Sequence, residues 1–259
     1  MEKNAFIHQF ETCADTSSLW QAYVDKMRVR GFNGPIVYAF TYGLISRTGD
    51  LPLNQGSFNA NKLNYMIALK EDVEEYNQRL LRNNLIEKDP LAYHARTFGT
   101  VALIGVDFCH PTQENYDDTL EYFNTLANFN MRNSLCVPVQ NEFDWQLEGF
   151  GLHSTIKGSE FSKLIEKNYT QIMFDNYEFS RRFRRLYRYE YADKVKLTRK
   201  QMQVVYQLCQ GRSNQEIAGE MGISQAAVSA HFKALQTKLG VSSTREIPVI
   251  ALKLGYVSF

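Results

Sequence analysis

One short segment constrains the fold of this chain more than any other feature: residues 213–228, with the sequence SNQEIAGEMGISQAAV. A helix-turn-helix needs a small residue where its two helices cross, a glycine that turns the chain left-handed between them, and an apolar anchor in the second helix. Ala218, Gly222 and Val228 supply these at spacings of four and six residues. The segment therefore predicts a helix-turn-helix and, with it, DNA binding.

Capping residues and the second helix agree with this prediction. Ser213 and Glu216 have the spacing of a capping box, and Ser224 is a suitable N-cap for the second helix. Helix 225–239 would bury its apolar side and present small and polar residues to the major groove of double-stranded DNA. The arginine and lysines would contact phosphates, although a solvated side chain is the alternative for each. The predicted DNA-binding residues are Arg212, Ser213, Gln225, Ala226, Ser229, Ala230, Lys233 and Lys238.

The distribution of charge favours the same function. The whole chain has a formal net charge of only +1. Residues 195–259 hold eight basic and three acidic side chains, whereas the preceding residues hold 21 basic and 25 acidic ones. A basic segment attached to a mildly acidic one is expected when only the basic part contacts nucleic acid.

The remaining composition is that of a soluble globular protein. Hydrophobic residues make up 44% of the chain, yet no apolar stretch approaches the ~18 residues that a membrane-spanning helix needs. The first residues lack the pattern of a secretory signal, so we expect a cytoplasmic protein with no membrane partner. The four cysteines are widely spaced and are expected to be reduced thiols.

Neither an enzyme nor a cofactor is predicted. The candidates for a metal or catalytic set are His94, Asp107, His110 and His153. Their spacings match no ligand motif, and scattered histidines are typical of packing or surface positions. We therefore expect no catalytic residue and no metal site.

The longer first part of the chain predicts an α+β domain. Helical periodicity marks residues 17–30, 111–128 and 160–189. Apolar runs rich in β-branched and aromatic residues predict strands near 36–42, 63–69, 101–108, 135–139 and 145–152. A polar turn is expected at 140–144. This order predicts an α/β/α sandwich with a central antiparallel sheet, followed by an all-α four-helix helix-turn-helix domain.

Five arginines lie among aromatic residues at 180–191. They would bind phosphate or, alternatively, stay solvated on a helix that turns its apolar side inward. The apolar residues of that side are Phe179, Phe183 and Leu186 or Tyr187. Both interpretations remain open at this point.

The helix-turn-helix segment resembles the C-terminal domain of the LuxR family. The matching residues are Leu197, Thr198, residues 211–218, Ile223, Ser224, Val228, His231 and residues 238–241. The resemblance implies a homodimer that binds an inverted repeat, with four helices near residues 199–210, 214–221, 225–239 and 246–254. Pro248 departs from the family pattern and falls near the start of the last helix, where proline is tolerated only in the first turn.

Two features of the first part resemble the autoinducer-binding domain of the same family. These are residues 129–139, FNMRNSLCVPV, and the pair formed by Asp89 and Pro90. The resemblance implies a small-molecule site in which Asp89 accepts a hydrogen bond from a ligand amide. The alternative is that this Asp-Pro pair only begins a turn.

The implied site departs from the family pattern. Where the family has its ligand-binding tyrosine and tryptophans, this chain has Leu80, Tyr76 and Ile104, and a family glycine is replaced by Ser134. A buried ligand carbonyl without a donor costs roughly 1–3 kcal/mol, so these changes redirect recognition. The predicted ligand-binding residues are Tyr76, Leu80, Asp89, Ile104, Ser134 and Cys136.

The sequence thus predicts a quorum-sensing transcriptional regulator of the LuxR type. Residues 1–190 form the predicted sensor and dimerisation domain, residues 191–196 a linker, and residues 197–259 the DNA-binding domain. The expected signal is a small molecule different from an ordinary acyl-homoserine lactone. The alternative is a ligand-independent regulator or anti-activator controlled by protein–protein pairing.

Overall fold

A computed structural model of the chain describes residues 10–40, 64–69, 73–85, 88–139, 148–253 and 256–257. These residues fall into two compact units, which divide between Phe183 and Arg184. Among the described helices, none is both long enough and apolar enough to cross a membrane.

The first unit is built on one antiparallel sheet. Its described strands are β1 (Ile36–Phe40), β2 (Asn64–Ala68), β3 (Ala102–Gly105), β4 (Asn133–Pro138) and β5 (Glu148–Ser154). The strands lie in the order β2-β1-β5-β4-β3, and every neighbouring pair is antiparallel. The last strand in sequence is therefore the central strand of the sheet.

Helices cover both faces of this sheet. They are α1 (Thr16–Val29), α2 (Val73–Arg82), α3 (Pro90–Thr97), α4 (Tyr116–Thr125) and α5 (Gly158–Val195). Helices α1 and α5 pack on one face through aromatic rings, and α2, α3 and α4 share a hydrophobic cluster with the other face. The predicted α/β/α arrangement around an antiparallel sheet is confirmed.

A cluster of aromatic rings lies where the sheet meets α1 and α5. The rings of Tyr23, Tyr38, Phe150 and Phe179 lie with centroids 4.8–5.0 Å apart in four pairs. Beside them the buried carboxylate of Asp175 on α5 forms ion pairs with Lys26 of α1 and with Arg30, the residue that follows α1. A buried carboxylate needs such partners, because desolvation of an unpaired charge is expensive. The pairing joins the first helix of the unit to the last.

A second polar junction holds β3, β4 and the start of α5 together. Both oxygens of Asp107 accept hydrogen bonds from Arg132, at 2.6 and 2.8 Å. Asp107 Oδ2 also accepts from the side chain of Asn133 and from the backbone N–H of Gly158, the first residue of α5. The Arg132 guanidinium is the main reason that the pKa of Asp107 is lowered to about 2. Asp107 thus caps α5 from a distant part of the chain.

Three helices differ from the sequence-based prediction. Helices α2 and α3 were not expected, because each is short and buries only a pair of residues, Tyr76 and Leu80 in α2 and Pro90 and Leu91 in α3. The helix predicted at 111–128 begins only at Tyr116. The turn predicted at 140–144 and the strand ends predicted at 41–42 and 63 lie outside the described residues.

The arginine-rich segment belongs to α5, and its apolar residues are packed. The buried side chains are Phe179, Phe183, Leu186 and Tyr187. Arg181 pairs with Glu11 and Glu178, and Arg182 donates to the backbone oxygens of residues 11 and 13. The apolar side is thus packed as the second interpretation predicts, whereas these two arginines contact other residues of the protein and are not simply solvated.

The second unit contains the end of α5, from Arg184, and a bundle of four further described helices. They are α6 (Arg199–Cys209), α7 (Asn214–Met221), α8 (Gln225–Leu239) and α9 (Glu246–Lys253). Pro248 is the third residue of α9, where its missing N–H would have no partner within the helix, so it is tolerated. Residues 191–196 are predicted as a linker, and α5 remains helical through Val195.

Replacing the capping carboxylate should weaken the first unit. We expect Asp107→Ala to lower the free energy of unfolding by about 1 kcal/mol at pH 7, a modest value because this ion pair is partly exposed. Since the folded pKa is depressed, the contribution is present above pH ~4 and fades as the pH falls through about 2. Urea denaturation of this variant and of Asp117→Ala, an exposed control on α4, measures the effect. Equal stability of the two variants would contradict the capping role.

Candidate functional site

The face of the sheet opposite the aromatic core borders a cavity of about 70 Å³. A cavity needs a volume of roughly 10–15 Å³ to hold one water molecule, so this cavity is large enough for several. Its floor is made by cross-strand rows of small residues. Gly151 of β5 lies between Val37 and Cys136, and Gly149 lies between Ala39 and Pro138.

The two glycines of β5 leave space above the sheet because they have no side chains. A Cβ atom on Gly151 would lie 2.9 Å from the Leu91 side chain of α3. A Cβ atom on Gly149 would lie 2.9 Å from the backbone oxygen of Val137 on the neighbouring strand. Larger residues at either position would fill the space between the sheet and α3 or push the strands apart.

Helices α2, α3 and α4 form the roof of the cavity. Tyr76 and Leu80 lie on consecutive turns of α2, so their side chains share one face. Tyr122 of α4 hydrogen-bonds to the Tyr76 hydroxyl, and the Tyr76 ring packs edge-on against Phe129. Burial raises the pKa of Tyr76, so its hydroxyl stays protonated and available as a donor.

Asp89 is fixed at the edge of the cavity by α3. Its side chain is the N-cap of that helix and accepts hydrogen bonds from the N–H groups of Leu91, at 2.9 Å, and Ala92, at 3.3 Å. Pro90 follows as the first helical residue, where its lack of an N–H is harmless. Burial is the main cause that raises the Asp89 pKa, to about 6, and it outweighs the two hydrogen bonds that lower it.

Two polar side chains from the central strands complete the site. His153 of β5 lines the cavity, and its Nδ1 is hydrogen-bonded to the hydroxyl of Ser134 on β4. Burial lowers the pKa of His153 to about 3, so the ring is neutral at physiological pH. The Cys136 thiol donates to the backbone oxygen of Leu91 at 3.5 Å and ties β4 to α3.

The structure brings most of the predicted ligand residues together. Tyr76, Leu80, Asp89 and Cys136 line the cavity, and Ser134 lies next to it beneath His153. Ile104 faces a second, smaller cavity of about 50 Å³ on the other side of α3. These placements leave ligand binding itself a prediction.

Sequence reasoning missed several lining residues. They are Val37, Ala39, Leu91, Tyr122, Gly149, Gly151 and His153. The alternation of Gly149, Gly151 and His153 along β5 was a usable signal, because residues two apart share one face of a strand. Which face they occupy depends on strand pairing, which the local pattern does not contain. The set of His94, Asp107, His110 and His153 is not assembled, and the described residues hold no group of three potential metal ligands.

The second unit has the predicted helix-turn-helix geometry. Ser213 and Glu216 form the capping box of α7, and Ser224 caps α8 by accepting from the N–H of Ala227. Gly222 ends α7 with φ +62°, a left-handed conformation that strains residues with a Cβ. Val228 is completely buried, as expected for the anchor of the second helix.

Helix α8 leaves one face for a partner. Gln225, Ala226, Ala230 and Lys233 are exposed on it, and Ser229 is half-buried and accepts from the Asn214 amide at 3.4 Å. The helix contains no acidic residue. Small side chains permit close approach to DNA, and the absence of carboxylates avoids repulsion of phosphates.

Two of the predicted phosphate contacts have partners within the unit. Arg212 pairs with Glu220 at 2.7 Å. Lys238 donates to the backbone oxygen of Lys196, at 2.8 Å, and to the Gln201 side chain, at 3.0 Å. Lys238 therefore ties the end of α8 to the start of α6, a role that the sequence did not reveal.

Comparison with known proteins identifies this unit. Residues 195–251 match the family of bacterial regulatory proteins described as the luxR family. The C-terminal unit is a LuxR-family helix-turn-helix domain. Over 62 residues, 24% of the chain, it is also 39% identical to the transcriptional regulatory protein MctR of Rhizobium johnstonii, and this match spans 29% of that relative.

The rest of the fold is known from solved structures. The crystal structure of Escherichia coli SdiA is similar over 98% of this chain and 97% of its own, with a TM-score of 0.60 and 10% identity. CepR2 from Burkholderia cenocepacia, an N-acylhomoserine-lactone-dependent LuxR-family transcription factor, is similar over 70% of this chain and 96% of its own, with a TM-score of 0.50 and 11% identity. The first unit therefore has the fold of these regulators.

The raised pKa of Asp89 predicts a specific dependence of stability on pH. Between pH ~4 and about 6 the unfolded chain releases this proton before the folded chain does, so folding becomes less favourable as the pH rises. Asparagine keeps the N-cap without the charge. We expect Asp89→Asn to raise the free energy of unfolding by about 2–3 kcal/mol at pH 7.5 and to change it little at pH 4.

Thermal and urea unfolding across this pH range test the prediction. Asp117→Asn, which removes an exposed carboxylate of α4, is the matched control and should show no such pH dependence. A stabilisation of the Asp89 variant that is the same at pH 4 and pH 7.5 would show that Asp89 titrates normally.

Proposed function

We propose that the protein is a transcriptional regulator that binds DNA through α8. The observation that carries this proposal is the exposed, carboxylate-free face of α8 within a LuxR-family domain. Gln225, Ala226 and Ser229 lie at its N-terminal part, where recognition helices contact base edges. Lys233, one turn further, supplies charge to the phosphate backbone.

The regulator acts as a homodimer on an inverted repeat. One recognition helix reads only a few base pairs, whereas two related helices reach half-sites about one helical turn, roughly 10 base pairs, apart. A second copy also adds its phosphate contacts to the affinity. We place this protein in the cytoplasm, where its DNA lies.

The first unit senses a small amphiphilic molecule in the cavity between the sheet and α3. The lining supports this, because it is mainly apolar and carries a few fixed polar groups, as ligand sites do. SdiA, which shares the fold, has been solved in complex with octanoyl-rac-glycerol. Because Leu80, which lines the cavity, stands where the family has its ligand-binding tyrosine, we propose a signal other than an ordinary acyl-homoserine lactone.

Removing the exposed ammonium of α8 should weaken DNA binding without altering the fold. We expect Lys233→Ala to reduce affinity for all sequences and to lower the slope of log affinity against log salt by about one unit, since one phosphate contact is lost. Fluorescence anisotropy with duplex DNA at several salt concentrations measures both. Lys163→Ala, an exposed lysine of α5, is the control with the same change of charge. Equal salt slopes for the two variants would remove Lys233 from the interface.

Native mass spectrometry of protein purified from its own host tests the sensor. We expect a dimer with a co-purified small molecule, and we expect Asp89→Ala to lose that molecule while remaining folded. An empty, folded wild-type protein that still binds DNA would instead favour control by pairing with another protein.

A further inference from the structure

We infer that the head group bound in the cavity carries a protonated amine, which pairs with the Asp89 carboxylate. The inference rests on the proposed sensor function and adds the chemical class of the signal. It follows from the position of Asp89, from the charge of the lining and from the aromatic roof.

The geometry leaves part of the Asp89 carboxylate for a ligand. Both of its hydrogen bonds, from the N–H groups of Leu91 and Ala92, go to Oδ1. Among the described residues, no hydrogen bond or ion pair engages Oδ2, although Asp89 lines the cavity. Because the N-cap role fixes the side chain, this oxygen is held in place before a ligand arrives.

The rest of the described lining offers no positive charge. His153 of β5 is neutral, since burial lowers its pKa to about 3, and Cys136 of β4 is protonated, since burial raises its pKa to about 12. Tyr76 of α2, which is hydrogen-bonded to Tyr122 of α4, stays protonated because burial raises its pKa. Arg96 of α3 is exposed and donates to the backbone oxygen of Ala92. Among the lining residues that the structure describes, only Asp89 therefore carries a formal charge, and that charge is negative.

A site with this negative charge selects its ligand by the charge of the ligand's head group. A carboxylate head group would be repelled, and a neutral one would leave the anion of Asp89 uncompensated in an apolar surrounding. An ammonium group neutralises the anion and donates to Oδ2. The rings of Tyr76 and Tyr122 add a favourable surface for a cation.

Three ligands that share one tail and differ in head-group charge test this inference. They are hexylammonium, 1-hexanol and hexanoate, titrated into the full-length protein by calorimetry at pH 7.5. We expect hexylammonium to bind at least about tenfold more tightly than hexanol, and hexanoate to bind weakest. The preference should shrink as the pH falls through about 6, where Asp89 takes up a proton.

Substitution of Asp89 tests whether this side chain causes the preference for hexylammonium over hexanol. In the Asp89→Asn variant, which keeps the N-cap, hexylammonium and hexanol should bind within about twofold of each other. Asp117→Asn should retain the wild-type preference. Wild-type protein that binds hexanol as tightly as hexylammonium, or a preference that survives in Asp89→Asn, would overturn the inference.

The outcomes also separate this inference from the sensor function on which it rests. Octanoyl-glycerol serves as a neutral amphiphile of the kind that a protein of the same fold binds. If octanoyl-glycerol and hexanol bind and hexylammonium is not preferred, the inferred amine head group is overturned, while the proposed sensor function is supported. Failure of all four compounds to bind would overturn both.

Discussion

The two-sided central strand β5 is the constraint on which the first unit depends. Successive side chains of a strand point to opposite faces, so Phe150 and Leu152 enter the core beneath α1 and α5, while Gly149 and Gly151 open the cavity on the other side. A shift of one residue in its pairing would place aromatic rings in the cavity and glycines in the core. The register of this single strand therefore sets both the packing and the site.

Polar contacts hold the pieces around this strand in fixed relation. The carboxylate of Asp175 joins α1 to α5, and that of Asp107 joins β3 and β4 to the start of α5. Both are paired with arginine or lysine, which is the condition for keeping a carboxylate in or near a core. Asp89 is the contrast: it is desolvated but has only backbone donors. That difference supports the proposal that Asp89 binds a ligand, whereas the other two carboxylates stabilise the fold.

Each unit uses the start of a helix for a different purpose. In the second unit the caps Ser213 and Ser224 are satisfied entirely within the protein and set the angle between α7 and α8. In the first unit Asp89 caps α3 with Oδ1 and also lines the cavity, and no described hydrogen bond engages its Oδ2. The same local motif thus stabilises one helix pair and, in α3, also positions a charge.

The sequence by itself determined the second unit, because the signals for its helices are local. The capping box of Ser213 and Glu216, the left-handed Gly222 and the buried Val228 all lie within sixteen residues, so spacing alone specifies their geometry. Pattern also predicted the antiparallel sheet, and the family resemblance drew attention to Asp89, Tyr76 and Leu80, which line the cavity. It did not predict α2 and α3, whose buried stripes are too short to detect, nor the role of Lys238 as a tie to residue 196. Only the tertiary structure decided which face of β5 borders the cavity and which residues meet there, because those facts depend on pairing between strands that are distant in the chain.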